Sequence, residues 1–330
     1  MKALAMLSGG LDSTLAVKLI LNQGIEVETI NFVTPFCLCK MGCSGATKVA
    51  KKFHVPIKIV NVGRDYLKIL RNPKYGYGRN MNPCIDCRIF MLRKAKKHMK
   101  ETGAYFIFTG EVLYERPMSQ HWEALNIIEK EAGLEEKILR PLSAKLLPRT
   151  EAEKKGWVDR TKLLDISGRS RKKQIALATE FAITDYPCPA GGCLLTYREY
   201  ANKLRDLFKH KKIVSLKDVQ LLRIGRHFRL GRNKIIVGRN EDENKALVYQ
   251  KCDGDYYFEA QDCGSPITLL QGSKTKKAKE TAARLTAYYS DQDAGRVLVK
   301  FGRRSLDQST VVDIPSEEEV DELRIKRQKI

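Results

Sequence analysis

The residues best suited to chemistry fall into two groups. Near the start, "SGGLDS" places Ser8, Gly9, Gly10, Asp12 and Ser13 between the apolar run "KALAML" and a helical pattern. A glycine pair lets the backbone approach an anion closely, and the N–H groups opening the next helix point at it with the favourable end of the helix dipole. Hydroxyls of Ser8 and Ser13 add donors, whereas Asp12 would repel a phosphate unless a Mg2+ ion lay between them. A tight strand-to-helix turn accounts for the glycines, but not for two serines and an aspartate around them. The second group is sulfur. Cys84 and Cys87 form a C-x-x-C at a helix start, where a thiolate gains from the dipole, and Cys188 and Cys193 sit in the turn "YPCPAGGC". Two such pairs suit a structural zinc site or an iron–sulfur site, and spacing alone does not separate these. Cys37, Cys39 and Cys43 in "FCLCKMGC" admit a second metal site, alternative ligands or small loop hydrophobes. Cys252 and Cys263 are expected as core thiols.

Bringing these groups together requires a layered fold. Up to about residue 195, the strands "KALAML", "EVETINFV", "IKIVNV" and "YFIFTG" alternate with helices. Those helices are "DSTLAVKLILNQG" closed by Gly24, "GATKVAKKFH", and a long one from Cys84 to Thr102. The alternation predicts an α/β class with a doubly wound, mainly parallel sheet, whose ligands bind at the carboxyl ends of its strands. "TEAEKKGW" has the capping-box form, and "RSRKKQIALATEFAI" reads as a helix. Beyond the turn "DYPCPAGGC", the helices "YREYANKLRDLFKH" and "LKDVQLLR" precede short strands: "HFRL", "KIIVG", "ALVYQ", "YYFEA", "ITLL" and "VLVKF". One helix, "KAKETAARLTAYY", interrupts them, so a C-terminal α+β module is expected, with domains at 1–197 and 198–330.

The 330 residues carry 60 Lys+Arg against 39 Asp+Glu, a net +21, which points to a polyanionic partner and first to nucleic acid. A surface merely rich in solvated charge would balance its signs. "GRSRKK" sets Arg169, Arg171, Lys172 and Lys173 at a helix start, against the dipole's preference unless phosphates meet them. Arg223, Arg226, Arg229, Arg232, Lys234 and Arg239 alternate with apolar strand residues. Neither a secretory signal pattern nor an apolar run of membrane-spanning length is visible, so a cytoplasmic protein without membrane contact is expected. In a reducing compartment its 9 cysteines read as metal or sulfur chemistry rather than disulfides.

"SGGLDS" resembles the signature of the PP-loop family of N-type ATP pyrophosphatases. The resemblance implies that Ser8, Gly9, Gly10, Asp12, Ser13 and Thr14 hold the β- and γ-phosphates of Mg2+–ATP, leaving the α-phosphorus open to attack by a carbonyl oxygen. It further implies that Thr109 and Gly110 in "TGEV" approach the nucleotide, and that Asn31 and Phe32 read adenine through backbone groups. "ERPMSQ" resembles the stretch after the TG turn in tRNA thiouridylases, with Arg116, Ser119 and Gln120 facing phosphate or substrate.

"NPCIDC" is similar to the N-P-x-x-x-C motif of tRNA 2-thiouridylases, which sets Cys87 on the sulfur-handling cysteine; "GGCLL" sets Cys193 on the second. The likeness to cluster-dependent thiolases implies a 4Fe-4S cluster on Cys84, Cys87 and Cys193, zinc being the alternative, with Cys188 as an optional fourth ligand. "VGRN-x-x-x-N" and the aromatic strand after it resemble the RNA-binding domain of NFACT-type proteins, so Arg239 and Asn240 join Arg226 and Arg229 as expected RNA contacts. The expected function is ATP-dependent tRNA thiolation: a uridine carbonyl is adenylated and its oxygen replaced by sulfur, with Cys87, Cys193 and Asp12 as the catalytic residues. Rival expectations are an amidating PP-loop enzyme with structural zinc and a non-catalytic RNA-binding factor. Free sulfide or a persulfide carrier as donor, the uridine modified, C2 against C4, and a homodimer all stay open.

Overall fold

The computed structural model describes residues 1–38, 44–184, 186, 192–292 and 295–325, so the calls on Cys39, Cys43 and Cys188 lie outside the described residues. The chain divides into two units, Met1–Thr196 and Tyr197–Ile330.

The first unit runs β1 (Lys2–Met6), α1 (Leu11–Leu21), β2 (Glu26–Val33), α2 (Ser44–Lys52), β3 (Ile57–Asn61), α3 (Arg64–Arg71), α4 (Cys84–Thr102), β4 (Phe106–Thr109), α5 (Trp122–Ala132), β5 (Ile138–Leu139), α6 (Glu151–Lys154) and α7 (Lys172–Glu180). Among the described residues its strands form one parallel five-stranded sheet, ordered β3-β2-β1-β4-β5. Growth outward from β1 in both directions is the doubly wound α/β arrangement expected. β1 is central and covered on both faces, so it reads as an unbroken apolar run. Ala3 and Ala5 face a core with α1 and α2, while Leu4 and Met6 face one with α4 and α5. α4 presents Ile85, Ile89, Leu92, Ala95 and Met99 along one helical stripe, and each large member contributes roughly 1.5–3 kcal/mol when buried. Gly103, at φ 69°, closes α4 in the left-handed conformation that glycine adopts without strain.

The second unit holds α8 (Arg198–His210), α9 (Leu216–Leu221), β6 (Arg226–Leu230), β7 (Asn233–Val237), α10 (Glu241–Gln250), β8 (Tyr256–Ala260), β9 (Thr268–Gln271), α11 (Lys276–Tyr288), β10 (Arg296–Gly302), β11 (Gln308–Asp313) and α12 (Glu317–Leu323). Its described strands make an antiparallel sheet ordered β11-β10-β8-β9-β7-β6. Alanines of α11 pack into the larger core on this sheet. "ALVYQ", expected as a strand, is the end of α10 instead. Asn240 caps that helix by accepting from the Glu243 N–H, acidic residues fill its first turn, and Leu247 alone is its buried anchor. No described helix is long and apolar enough to cross a membrane.

Candidate active site

The glycine loop leaves β1 and enters α1 at the carboxyl edge of the sheet. Gly9 has φ 79°, and a Cβ there would strike the backbone of Gly45 and Ala46 at the start of α2. Only glycine meets both demands. Ser8 Oγ lies 3.0 Å from Ser13 Oγ, and the Ser13 and Thr14 hydroxyls donate to the Gly10 carbonyl at 3.0 and 2.9 Å. The first intrahelical bond runs from Thr14 N–H to Gly10 O, and Gly10 offers no side-chain cap. The amides of residues 11–13 therefore precede the helical ladder, as an anion-binding terminus requires. Buried Asn31 donates to the Leu7 carbonyl at 2.7 Å and fixes the loop's entry, while its Oδ1 has no partner. The β1–β2 ladder ends with Leu7 N–H on Ile30 O, and Val33 bonds towards β3. Alternation thus turns the Phe32 backbone to the β1 side, beyond the last bond of that ladder.

Asp12 sits where the loop becomes helix, with its Oδ1 buried and unpartnered. Burial pushes its carboxyl up to about 6, Glu115 adds to the rise, and Arg171 opposes it. The Arg171 guanidinium lies 3.2 Å from Asp12 Oδ2 and also pairs with Glu115. Arg171, expected as an RNA contact, is 16% exposed here and held between two carboxylates. On the same face of α7, Gln174 is fully buried with both amide atoms unpartnered, and Ala178 packs against Leu11 and Leu15 of α1. Sequence reasoning does not single out Gln174, which belongs to no motif, or Glu115, which opens "ERPMSQ" but carries no role in that resemblance. Gln120, expected at the substrate, is buried with Oε1 unpartnered, whereas Arg169 and Lys172 are exposed. Arg116 stands 3.6 Å from Glu115.

Thr109 gives its hydroxyl to Glu111 at 3.1 Å, and Gly110 packs so closely on α1 that a Cβ would strike the backbone of Asp12 and Ser13. Gly110→Ala is therefore expected to push α1 away, costing about 1–3 kcal/mol of stability and weakening ATP binding. Thermal melts with titration calorimetry check this; a variant matching the parent in both removes the positioning role. Burial raises the Glu111 carboxyl, but Arg88 at 3.3 Å and Arg140 at 3.1 Å outweigh it and hold the group below its ordinary range. Arg88 follows Cys87 and Glu111 follows Gly110, so one ion pair fastens the thiol helix to the loop beside α1.

The thiols converge. Cys84 and Cys87 open α4; Asn82 donates to Cys84 Sγ and the Tyr66 hydroxyl to Cys87 Sγ, both at 3.2 Å. Tyr66 is wedged between Phe36 and Phe90 at 5.9 and 5.7 Å between ring centres. Cys193 is brought in by two straps: Leu194 N–H donates to Phe36 O, and Met81 N–H to Leu195 O. Cys37 and Cys193 lie opposite each other in an antiparallel bridge, so the Cys37 left open by the sequence belongs to this pocket. Burial pushes the Cys87 thiol up, against the Tyr66 hydrogen bond and Arg88. Burial likewise pushes Cys193 up to about 12, with Cys87, Cys84 and Cys37 adding. Desolvation thus overrides the helix-dipole gain expected for Cys87, and a thiolate here needs a cation beside it. The set is of soft sulfur donors suited to iron or zinc. Among the described residues, no group of three or more Cys, His, Asp or Glu side chains is placed so that it could hold one metal ion, so Cys84, Cys87 and Cys193 neighbour one another without forming a ready-made site.

In the second unit the residues expected to contact RNA have partners within the fold. Arg229 makes two bonds to Asp206 and is 15% exposed, Arg239 is held by Glu243, and Asn240 serves as the α10 cap. Arg226 stacks over Tyr289 at 4.5 Å and donates to Gly238 O. Each of these groups has a local partner within the fold, which charge patterning cannot reveal.

Comparison with known proteins gives two family matches. Residues 1–145 match the family model described as thiamine biosynthesis protein (ThiI), and residues 225–324 match the NFACT protein RNA-binding domain. Among curated relatives, a tRNA-specific 2-thiouridylase MnmA 2 of Clostridium botulinum is 31% identical over 118 residues, which is 33% of this chain and 33% of that protein. A probable tRNA sulfurtransferase of Lysinibacillus sphaericus is 32% identical over 144 residues, 43% of this chain and 34% of that protein. The chain therefore spans about a third of the length of these relatives. A solved 4-thiouridine synthetase–RNA complex with bound ATP is 24% identical, covering 67% of this chain and 51% of that one, with a TM-score of 0.36. The PP-loop, thiouridylase-like resemblance and the C-terminal NFACT-type resemblance are both borne out.

Proposed function

We propose that the chain is an ATP-dependent tRNA thiolation enzyme, adenylating a uridine carbonyl oxygen and replacing it with sulfur. The observation that carries the reading is the Arg88–Glu111 pair, which sets the Cys87 helix against the strand-end loop that packs on the phosphate-type turn. The amides that open α1, with the Ser8, Ser13 and Thr14 hydroxyls, hold the β- and γ-phosphates as the leaving group. Asp12 Oδ1, buried and unpartnered, is the oxygen that takes Mg2+. The Phe32 backbone faces adenine. The uridine oxygen attacks the α-phosphorus and pyrophosphate departs; the oxygen later leaves as AMP when a sulfur nucleophile attacks the same carbon. Oxygen on a uridine is a poor leaving group, and adenylation makes it a good one.

Cys84, Cys87 and Cys193 would hold a 4Fe-4S cluster, whose chemistry there is to present sulfide to the activated carbon. The chain's own contribution is positioning: the buried Tyr66 donates to the Cys87 sulfur and keeps it oriented. Arg169 and Lys172 are left exposed to meet tRNA phosphates, and Arg116 stands near Asp12 on the substrate side.

The test is anaerobic purification with iron and sulfide analysis, followed by incubation with tRNA, Mg2+–ATP and sulfide and mass spectrometry of the nucleosides. Iron and sulfide in the protein, with a thiouridine and AMP in the products, are expected. A colourless protein holding one tight zinc ion and yielding no thiouridine would overturn the reading.

A further inference from the structure

Arg229 and Arg239 are held by carboxylates, whereas one end of the second sheet carries cations that make no ion pair among the described residues. Antiparallel pairing sets the start of β8, the end of β9 and the close of β10 side by side, through the pairs Tyr256–Leu270 and Tyr257–Gly302. Three connections therefore share that end: the turn from α10 into β8, the turn from β9 into α11, and the β10–β11 hairpin. The β6–β7 hairpin joins them, because Gly272 packs directly on the Arg232 carbonyl.

Each connection brings basic residues. Lys279 lies over the Tyr256 ring at 4.4 Å and Arg303 over the same ring at 5.0 Å. Lys251 donates to the Arg303 carbonyl at 2.7 Å and sits over Tyr257 at 5.6 Å, while the Tyr257 hydroxyl donates to the Arg304 carbonyl. Lys274 Nζ comes within 3.0 Å of where a Gly254 side chain would begin. Hydrogen bonding from Lys279, with Arg303 adding, holds the Tyr256 hydroxyl below its ordinary range. Asp255, the nearest carboxylate to these rings in sequence, is occupied by the Cys252 N–H and the Gln271 amide. Asp253 and Asp307 are the other acids of these turns.

Arg232, Lys251, Lys274, Lys279, Arg303 and Arg304 make no ion pair among the described residues, in contrast with Arg229 and Arg239. Six unpaired cations in one place are costly to hold together unless a polyanion neutralises them. The rings beneath them pack and orient the cations rather than offering bare faces for bases.

We propose that this end of the sheet is the RNA-backbone contact of the second unit, gripping tRNA phosphates without reading bases. The inference rests on the tRNA reading above for its substrate and adds where the polyanion is held. Contacts of this kind release counterions, so affinity falls steeply with salt and is indifferent to base sequence.

The experiment measures tRNA binding by the full chain across a salt series, using labelled tRNA and, in competition, an unrelated structured RNA. Arg303→Glu/Arg304→Glu is the main variant, because both side chains are exposed in a hairpin turn and its melting temperature should stay put. Weakening of about tenfold or more near physiological salt is expected, with the log–log salt slope reduced by roughly 1–2. Arg239→Gln, whose guanidinium is already engaged, should leave the slope unchanged. Lys279→Gln, which keeps a long stem over Tyr256, should fall between.

A charge-reversed variant that binds like the parent with the same slope overturns the proposal, even where the parent thiolates tRNA. Loss of binding in that variant, with a parent that makes no thiouridine, keeps the patch and rejects the enzyme. A parent that binds no RNA rejects both.

Discussion

Replacing Cys87 by Ser is expected to remove the proposed sulfur transfer to tRNA while leaving ATP binding at the parental level. The bonds that shape the glycine loop run among Ser8, Gly10, Ser13 and Thr14 and do not involve Cys87, so the nucleotide pocket survives. Ser is the informative choice. Tyr66 donates to the Cys87 sulfur, and a serine oxygen can accept the same bond. Alanine would leave the Tyr66 hydroxyl buried without a partner, at about 1–3 kcal/mol, and would confuse lost chemistry with lost fold. A hydroxyl ligates iron poorly beside soft sulfur donors, so iron and sulfide content should fall together with activity. Thiouridine formation should drop by on the order of 10³-fold or more, the scale of removing a reacting group. Mass spectrometry of nucleosides reads the product and calorimetry reads ATP. A Cys87→Ser chain that still thiolates tRNA at the parental rate removes Cys87 from the mechanism.

How much of this was legible in the sequence follows from the range of each interaction. β1 with "SGGLDS" after it is local: strand period, glycines and helix start lie within a dozen residues, and the structure places them as read. The parallel pairing of the first sheet also followed from strand–helix alternation. "ALVYQ" went wrong because a short apolar run looks alike on a strand or at the end of a helix, and what decides is the Asn240 cap several residues upstream. Charge partners were the least legible. Arg229 and Asp206 are separated by 23 positions, and Arg171 and Glu115 by 56, so a basic stretch reads as free although the fold has already satisfied it. The convergence of Cys37 on Cys193 depends on a single bridge between distant loops, for which no sequence period exists. Gln174 looks like any polar helix residue until α7 is docked on α1.

Asp12→Asn separates stability from function in opposite directions. Burial and Glu115 raise the Asp12 carboxyl from 3.8 to about 6, so the folded chain keeps a proton there that the unfolded chain gives up near pH 4. Between those values the native state binds more protons than the unfolded state, and stability falls as pH rises through the window, levelling above about pH 6. At neutral pH the ionised carboxylate therefore burdens the fold. The value of about 6 already includes the attraction to Arg171, so the neutral asparagine is expected to give a net gain of roughly 2–3 kcal/mol at pH 7.5, shrinking to nothing near pH 4. Activity should move the other way. Asn supplies no negative oxygen for Mg2+, and the rate should fall by about 10²–10³-fold, the scale of losing one electrostatic contact in a dry site. In the parent, kcat/KM for ATP, which reports the metal-free enzyme, should decline as pH drops through about 6 and Asp12 takes up its proton. Denaturant melts of both chains between pH 4 and 8, with pyrophosphate release measured over the same range, check these expectations together. Arg171→Ala is the counterpart: with its cation gone, Asp12 and Glu115 face each other uncompensated, and a loss of roughly 3–5 kcal/mol is expected. An Asp12→Asn chain that is less stable than the parent at pH 7.5 and still releases pyrophosphate at the parental rate would mean that the carboxylate serves only to anchor Arg171.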